Sequence, residues 1–143
     1  MQTAVNPRRK LFVVIALIAS AGVAVSSFSL YHHFSTSETG FCNFGESFNC
    51  DLVNRSQYST VLGMPVALIG ILGYFLILAL ATLSRAKEET PILLLLLSSA
   101  GLGFALYLTY IEGFVLHAWC ILCLSSLAFI FAEMVSSLFL VRK

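Results

Sequence analysis

Two pairs of cysteines carry the chemistry that this 143-residue sequence can offer. Cys120 and Cys123 bracket Ile121 and Leu122 in a C-x-x-C, which on a helix sets the two sulfurs three positions apart on one face, close enough to bridge. At a helix start, unpaired N–H groups and the positive end of the macrodipole stabilise a thiolate, the form that attacks a disulfide. The loop closed by such a bridge is too short to remove much unfolded-chain entropy, so the pair reads as a redox centre rather than a staple. Cys42 and Cys50 are separated by the seven residues NFGESFN, whose glycine and polar side chains suit a mobile excursion into water. Two dithiol pairs within reach of one another can pass electrons through a mixed disulfide.

The elements that hold these pairs follow from composition. The chain is 59% hydrophobic and 10% charged, with a mean hydropathy of +0.93. A soluble domain carries about 25% charged residues, so a soluble enzyme and a disordered chain are both excluded. Eight basic residues against seven acidic ones leave a net charge of +1, which is no footprint for nucleic acid. Crossing a bilayer takes about 20 apolar residues, and four stretches qualify: about 11–31, 65–83, 91–111 and 118–141. The predicted fold is an all-α integral membrane protein, one domain over 1–143. It is a four-transmembrane-helix bundle with a cysteine-bearing outer loop, 32–64, between its first two helices. Pro65 and Pro91 are expected in first helical turns, where a missing N–H costs nothing. The first apolar run, 21 residues, exceeds the 7–15 of a cleaved signal peptide and is read as a retained helix.

Basic residues orient the bundle. Arg8, Arg9, Lys10, Arg85, Lys87, Arg142 and Lys143 fall on one side, and only Arg55 on the other. Both termini are therefore expected in the cytoplasm, and 32–64 and the link 112–117 on the outer face, with Tyr31, Tyr110 and Trp119 at that boundary. In a bacterium the outer face of the inner (cytoplasmic) membrane is the periplasm, where disulfides persist. All four cysteines gather there, although Cys50 and Cys120 are 70 positions apart. One pair meets water and the other meets lipid. After Cys50, the segment DLVNRSQYSTVLG offers Leu52, Val53, Val61 and Leu62 for a short interfacial helix.

Other readings compete. Two structural disulfides bracing the outer loop would make the protein non-enzymatic, but a four-helix bundle has its own core and does not need them. A zinc site from all four cysteines meets C-x7-C, a poor match to zinc spacings, so no metal is assigned. His32 and His33 read as solvated boundary residues, since adjacent positions on a helix point apart. His117 either supports the Cys120 thiolate or is a plain interfacial histidine. Glu133 lies ten residues past Cys123, about 15 Å along a helix, which argues for a packing or polar contact in the bundle rather than chemistry at the C-x-x-C. Ser98, Ser99, Ala100, Gly101 and Gly103 permit close helix approach, or alternatively a small-residue cavity for a ligand headgroup. No carboxylate stands near the C-x-x-C in the sequence to supply protons.

Taken together, Cys42-x7-Cys50, Ser56, STVLGMP at 59–65, YLTYIE at 107–112 and CILC at 120–123 resemble the vitamin K epoxide reductase family over nearly the whole chain. The disulfide oxidase DsbB is a functional analogue with its cysteine pairs in the opposite order. The resemblance implies a helix bundle around a quinone, ubiquinone or menaquinone, with the C-x-x-C beside the ring. Carried over by position, Cys123 matches the cysteine that reacts with the quinone and Cys120 its disulfide partner. Cys50 matches the shuttle cysteine that attacks Cys120, Cys42 the one that meets an external thiol protein, and Ser56 a hydroxyl near the quinone headgroup. The implied activity is a quinone-linked thiol oxidase that reoxidises a periplasmic thioredoxin-fold protein of the DsbA kind. Because the sequence ends just after the fourth helix, that partner is expected to be a separate protein. The animal enzymes carry T-Y-A shortly past the C-x-x-C, whereas Ser126-Leu127-Ala128 stands here, which ranks vitamin K epoxide reduction second.

Overall fold

The computed structural model describes residues 7–34, 60–61, 63–84, 87–116 and 121–142. Helix α1 (Pro7–Phe34) is followed by a short antiparallel ladder, β1 (Thr60–Val61) with β2 (Met64–Pro65), and then by α2 (Val66–Leu83). Helix α3 (Thr90–Ile111) runs straight into a π-helical turn, Glu112–Leu116, and α4 (Ile121–Arg142) completes the bundle. All four α-helices are long and apolar enough to cross a membrane, as expected. Hydroxyl residues survive in them by donating back to the carbonyl one turn earlier, as Ser20 does to Ala16, Ser98 to Leu94 and Ser125 to Ile121.

Helix α1 packs against both α2 and α4, α4 packs against α3, and the α2–α3 seam is the thinnest of the four. The buried face of α1 runs Phe12, Ile15, Ala19, Gly22, Ser26, Ser29, and that of α4 ends Ile130, Glu133, Ser137, Leu140. Alternating steps of three and four residues are the spacing of helices crossing at a shallow angle. Leu17, Leu72, Phe75, Leu96 and Phe131 point outward, the surface that lipid would cover. Small residues set the closest approaches. A Cβ on Gly22 would lie 2.4 Å from the Tyr74 ring, one on Gly70 2.8 Å from Ser26 Oγ, and one on Gly101 3.1 Å from Ile130. Gly101 thus permits close approach as expected, while a Cβ on Gly103 would meet nothing within 4 Å.

The sharp α2–α3 connection uses the last carbonyls of α2. Ser84 O accepts from Lys87 N at 3.0 Å and also from the buried Thr90 hydroxyl, so an otherwise orphaned carbonyl is satisfied from the start of α3. Pro91 sits in the first turn of α3 as predicted, but Pro65 does not begin α2. It is the N-cap residue, extended at φ −59° and ψ 136°. Of the segment expected to offer a short interfacial helix, Thr60 and Val61 pair with Pro65 and Met64 in the two-residue ladder, while Leu52, Val53 and Leu62 lie outside the described residues. Gly63 turns the chain at φ 82°, and a residue before proline, here Met64, is biased to extended backbone. Helix α1 overruns the predicted 11–31 at both ends, and α4 is described from Ile121 rather than from 118.

Candidate functional site

The bundle is solid at one end and hollow at the other. Along α1 the core face passes from Phe12 and Ile15 to Ala19, Gly22, Ser26 and Ser29, so large side chains give way to small ones toward the end that joins the 32–64 segment. Gly70 and Gly73 on α2 and Ala100, Gly101 and Ala105 on α3 continue the small lining. They leave a cavity of about 340 Å³ bounded by all four helices. Ala100 and Gly101 therefore serve the cavity, the alternative reading of that small-residue run.

Most of the wall is aliphatic, and its polar groups are Ser26, Ser29, Tyr74, Glu112, Cys123 and Ser126. The Tyr74 ring lies against Gly22 and crosses to α4, where its hydroxyl donates to the Ser126 carbonyl at 2.7 Å. The Ser126 hydroxyl is 2.9 Å from the same phenol oxygen. With the phenolic proton committed to the carbonyl, Ser126 Oγ donates in return. Cys123 stands one turn above Ser126 on the same face of α4, half-buried in the cavity wall. A phenol thus enters the cavity from α2, while Leu127 is not among the lining residues.

Glu112 was not anticipated as a site residue. It is 2% exposed and lines the cavity with Cys123. Its backbone N–H donates to the carbonyls of Leu108 and Thr109 where α3 widens into the π-helical turn. Four residues after Leu108, it prolongs the cavity face of α3. No carboxylate stands near the C-x-x-C along the chain, but the fold brings Glu112 and Cys123 to the lining of one cavity. The one signal for Glu112 in the sequence is an acidic residue placed directly after the uninterrupted apolar run 91–111.

Of the predicted site residues, Cys123 is placed in the cavity wall. Cys42, Cys50, Ser56, His117 and Cys120 lie outside the described residues. Glu133 is fully buried in the core away from the cavity, and neither carboxyl oxygen has a hydrogen-bond partner among the described residues. Its predicted place inside the bundle is what is observed.

A model of the vitamin K epoxide reductase family matches residues 13–138, a span that contains α2, α3, most of α1 and α4, and every residue lining the cavity. The chain belongs to that family. Vitamin K epoxide reductase family members are oxidoreductases linked to quinone or vitamin K redox chemistry, so this chain is a membrane redox protein of that kind. The cavity suits such a group. Its volume falls in the range of small-molecule sites, its lining is mostly apolar, and Cys123 is among its few polar groups.

Proposed function

We propose that this protein is a quinone-linked thiol oxidase that reoxidises a thioredoxin-fold protein outside the inner membrane, relaying electrons from Cys42/Cys50 to Cys120/Cys123 and on to a membrane quinone. One observation carries the reading: Cys123 forms part of the wall of an apolar cavity large enough for a quinone ring. The cavity also lies at the end of the bundle where the segment bearing Cys42 and Cys50 joins α1 to α2, since Ser29 and Val66 line it too.

The chain's own groups divide the work. Cys42 exchanges with the partner's dithiol, and the released Cys50 thiolate attacks Cys120, freeing Cys123. The four helices surround the cavity, and the Tyr74–Ser126 pair, whose hydroxyl protons are spent on each other's groups, ties α2 to α4 across it. Ser56 is assigned to the quinone headgroup. A bound quinone, ubiquinone or menaquinone, supplies the two-electron acceptor chemistry.

Purified protein, a short-tailed quinone and a reduced thioredoxin-fold protein test this directly, with quinone loss followed by absorbance. Wild-type protein is expected to turn over, and Cys120→Ala and Cys123→Ala each to abolish turnover. Cys42→Ala should block the protein substrate while sparing a small dithiol that reaches Cys120 directly. Undiminished activity in either C-x-x-C variant overturns the relay. A parallel arm with vitamin K epoxide reports whether that substrate is accepted instead.

A further inference from the structure

Closing a dithiol onto a quinone moves protons as well as electrons. Each turnover must deliver two protons to the quinone oxygens and remove two from Cys120 and Cys123. The cavity is walled mostly by aliphatic side chains, so a proton exchanged there without solvent needs an ionisable group inside it. Among the described residues, the titratable side chains lining the cavity are Cys123 from α4, Tyr74 from α2 and Glu112 from α3, and the polar lining of α1 is Ser26 and Ser29. The Tyr74 hydroxyl is bound to Ser126 on both counts, as donor and as acceptor. Glu133, the other buried carboxyl of the bundle, is no part of the wall.

We propose that Glu112 is a catalytic acid and base of the quinone site, exchanging protons between the Cys120/Cys123 dithiol and the bound quinone. The inference rests on the thiol oxidase reading and adds a residue to it. Three features of its position support the role. Glu112 is buried and lines the same cavity as Cys123, from the neighbouring helix. Its backbone is held by the carbonyls of α3, so the side chain is presented from a rigid element. It opens a π-helical turn, a widened geometry frequent at functional sites.

The step balances as follows. Cys123 gives its proton to solvent and reacts as the thiolate. Its electron pair goes to the quinone while Cys120 closes the disulfide and loses its own proton. Glu112, as the acid, gives one proton to the ring oxygen that faces it and then takes the proton lost by Cys120. The second ring oxygen receives its proton from solvent. Two thiols and one quinone become one disulfide and one quinol, and Glu112 ends as it began.

Glu112→Gln keeps the size and hydrogen-bonding ends of the side chain and removes proton exchange. With a small dithiol and a short-tailed quinone, quinol formation is expected to fall about 100-fold or more, in line with a lost general acid–base group. Exchange between the external dithiol and the protein disulfides, read by alkylation with no quinone present, should keep its wild-type rate. A second quinone-free readout is the pH profile of alkylation of the reduced Cys120/Cys123 dithiol. It should follow two coupled titrations in wild type and lose one in Glu112→Gln. Glu133→Gln is the control, expected to leave quinol formation unchanged. Quinol formation within about twofold of wild type in Glu112→Gln, or an equal loss of thiol exchange, overturns the assignment. If the glutamine variant does not fold, Glu112→Asp carries the test. It should slow quinol formation yet keep the two-step alkylation profile, and a wild-type rate in it overturns the proposal. Absence of quinone reduction by the wild-type protein defeats the thiol oxidase reading itself and is seen before any variant is made.

Discussion

Glu133 and Glu112 are the same residue type at similar burial, yet their surroundings assign them opposite kinds of work. Glu112 opens onto a cavity, whereas Glu133 and Ser137, 0% and 1% exposed, are packed into the core with Glu133's oxygens and Ser137 Oγ unpartnered among the described residues. A buried polar group without a partner costs free energy. Glu133→Leu is therefore expected to stabilise the bundle by about 1–3 kcal/mol, measured as a higher unfolding temperature in detergent, with quinone reduction retained. A lowered midpoint would show that Glu133 is held by a contact outside the described residues. Tyr74 offers the converse case. Tyr74→Phe removes the bond to Ser126 and is expected to cost about 0.6–1.7 kcal/mol, the range for interhelical hydrogen bonds in membranes. Thermal unfolding of the single variants and of Tyr74→Phe with Ser126→Ala measures that coupling.

Between helices, the packing depends on what is missing from side chains more than on what is present. Tyr74 can cross the bundle because Gly22 has no Cβ, and an added methyl would sit 2.4 Å from two atoms of its ring and 2.6 Å from a third. Gly22→Ala should destabilise by about 1–3 kcal/mol, as overpacking does. Combining it with Tyr74→Ala should cost less than the sum of the two, in a thermal double-mutant cycle. Gly73 is the opposite sort of glycine. It lines the cavity, and a Cβ there would meet nothing within 4 Å. Gly73→Leu should fold, because leucine is the better helix former, and should fill the site. Quinone KM is expected to rise about tenfold, equivalent to about 1.4 kcal/mol, with thiol exchange unaffected.

Across the whole molecule, the charge bias and the hollow end agree. The described basic side chains, Arg8, Arg9, Lys10, Lys87 and Arg142, lie at the end away from the cavity. The positive-inside rule predicts that end to be cytoplasmic, which would open the cavity end to the compartment of the proposed partner. In a cysteine-free background, a membrane-impermeant maleimide applied to intact cells should label Thr60→Cys and not Glu88→Cys. Reversed labelling would invert the bundle and remove the route from Cys42 to a periplasmic partner.

How much of this could be read from residues alone differs by feature. Four helices were legible because unbroken apolar runs of membrane length have no other stable backbone in lipid. The C-x-x-C was legible as a motif because it is a local object. The core faces were not, since lipid-facing positions such as Leu17 and Leu72 are as apolar as buried ones, and hydropathy then has no period to reveal. The small residues Ala19, Gly22, Ser26 and Ser29 were written in the chain, but a cavity forms beside Ser26 and Ser29 only when α2 and α3 oppose them with small residues of their own. The ladder at 60–65 was not read, because a loosely amphipathic pattern hides the turn that Gly63 and Pro65 impose.

Local motifs and apolar length, then, were determined by the sequence: a membrane bundle, the family, and a C-x-x-C whose second cysteine falls in the first turn of the last helix. Only the tertiary structure decided that Cys123, Tyr74, Ser126 and Glu112 line one cavity. Those residues come from three helices, and which faces of three uniformly apolar cylinders meet is set by side-chain volume and close packing, to which hydropathy along a single chain is blind.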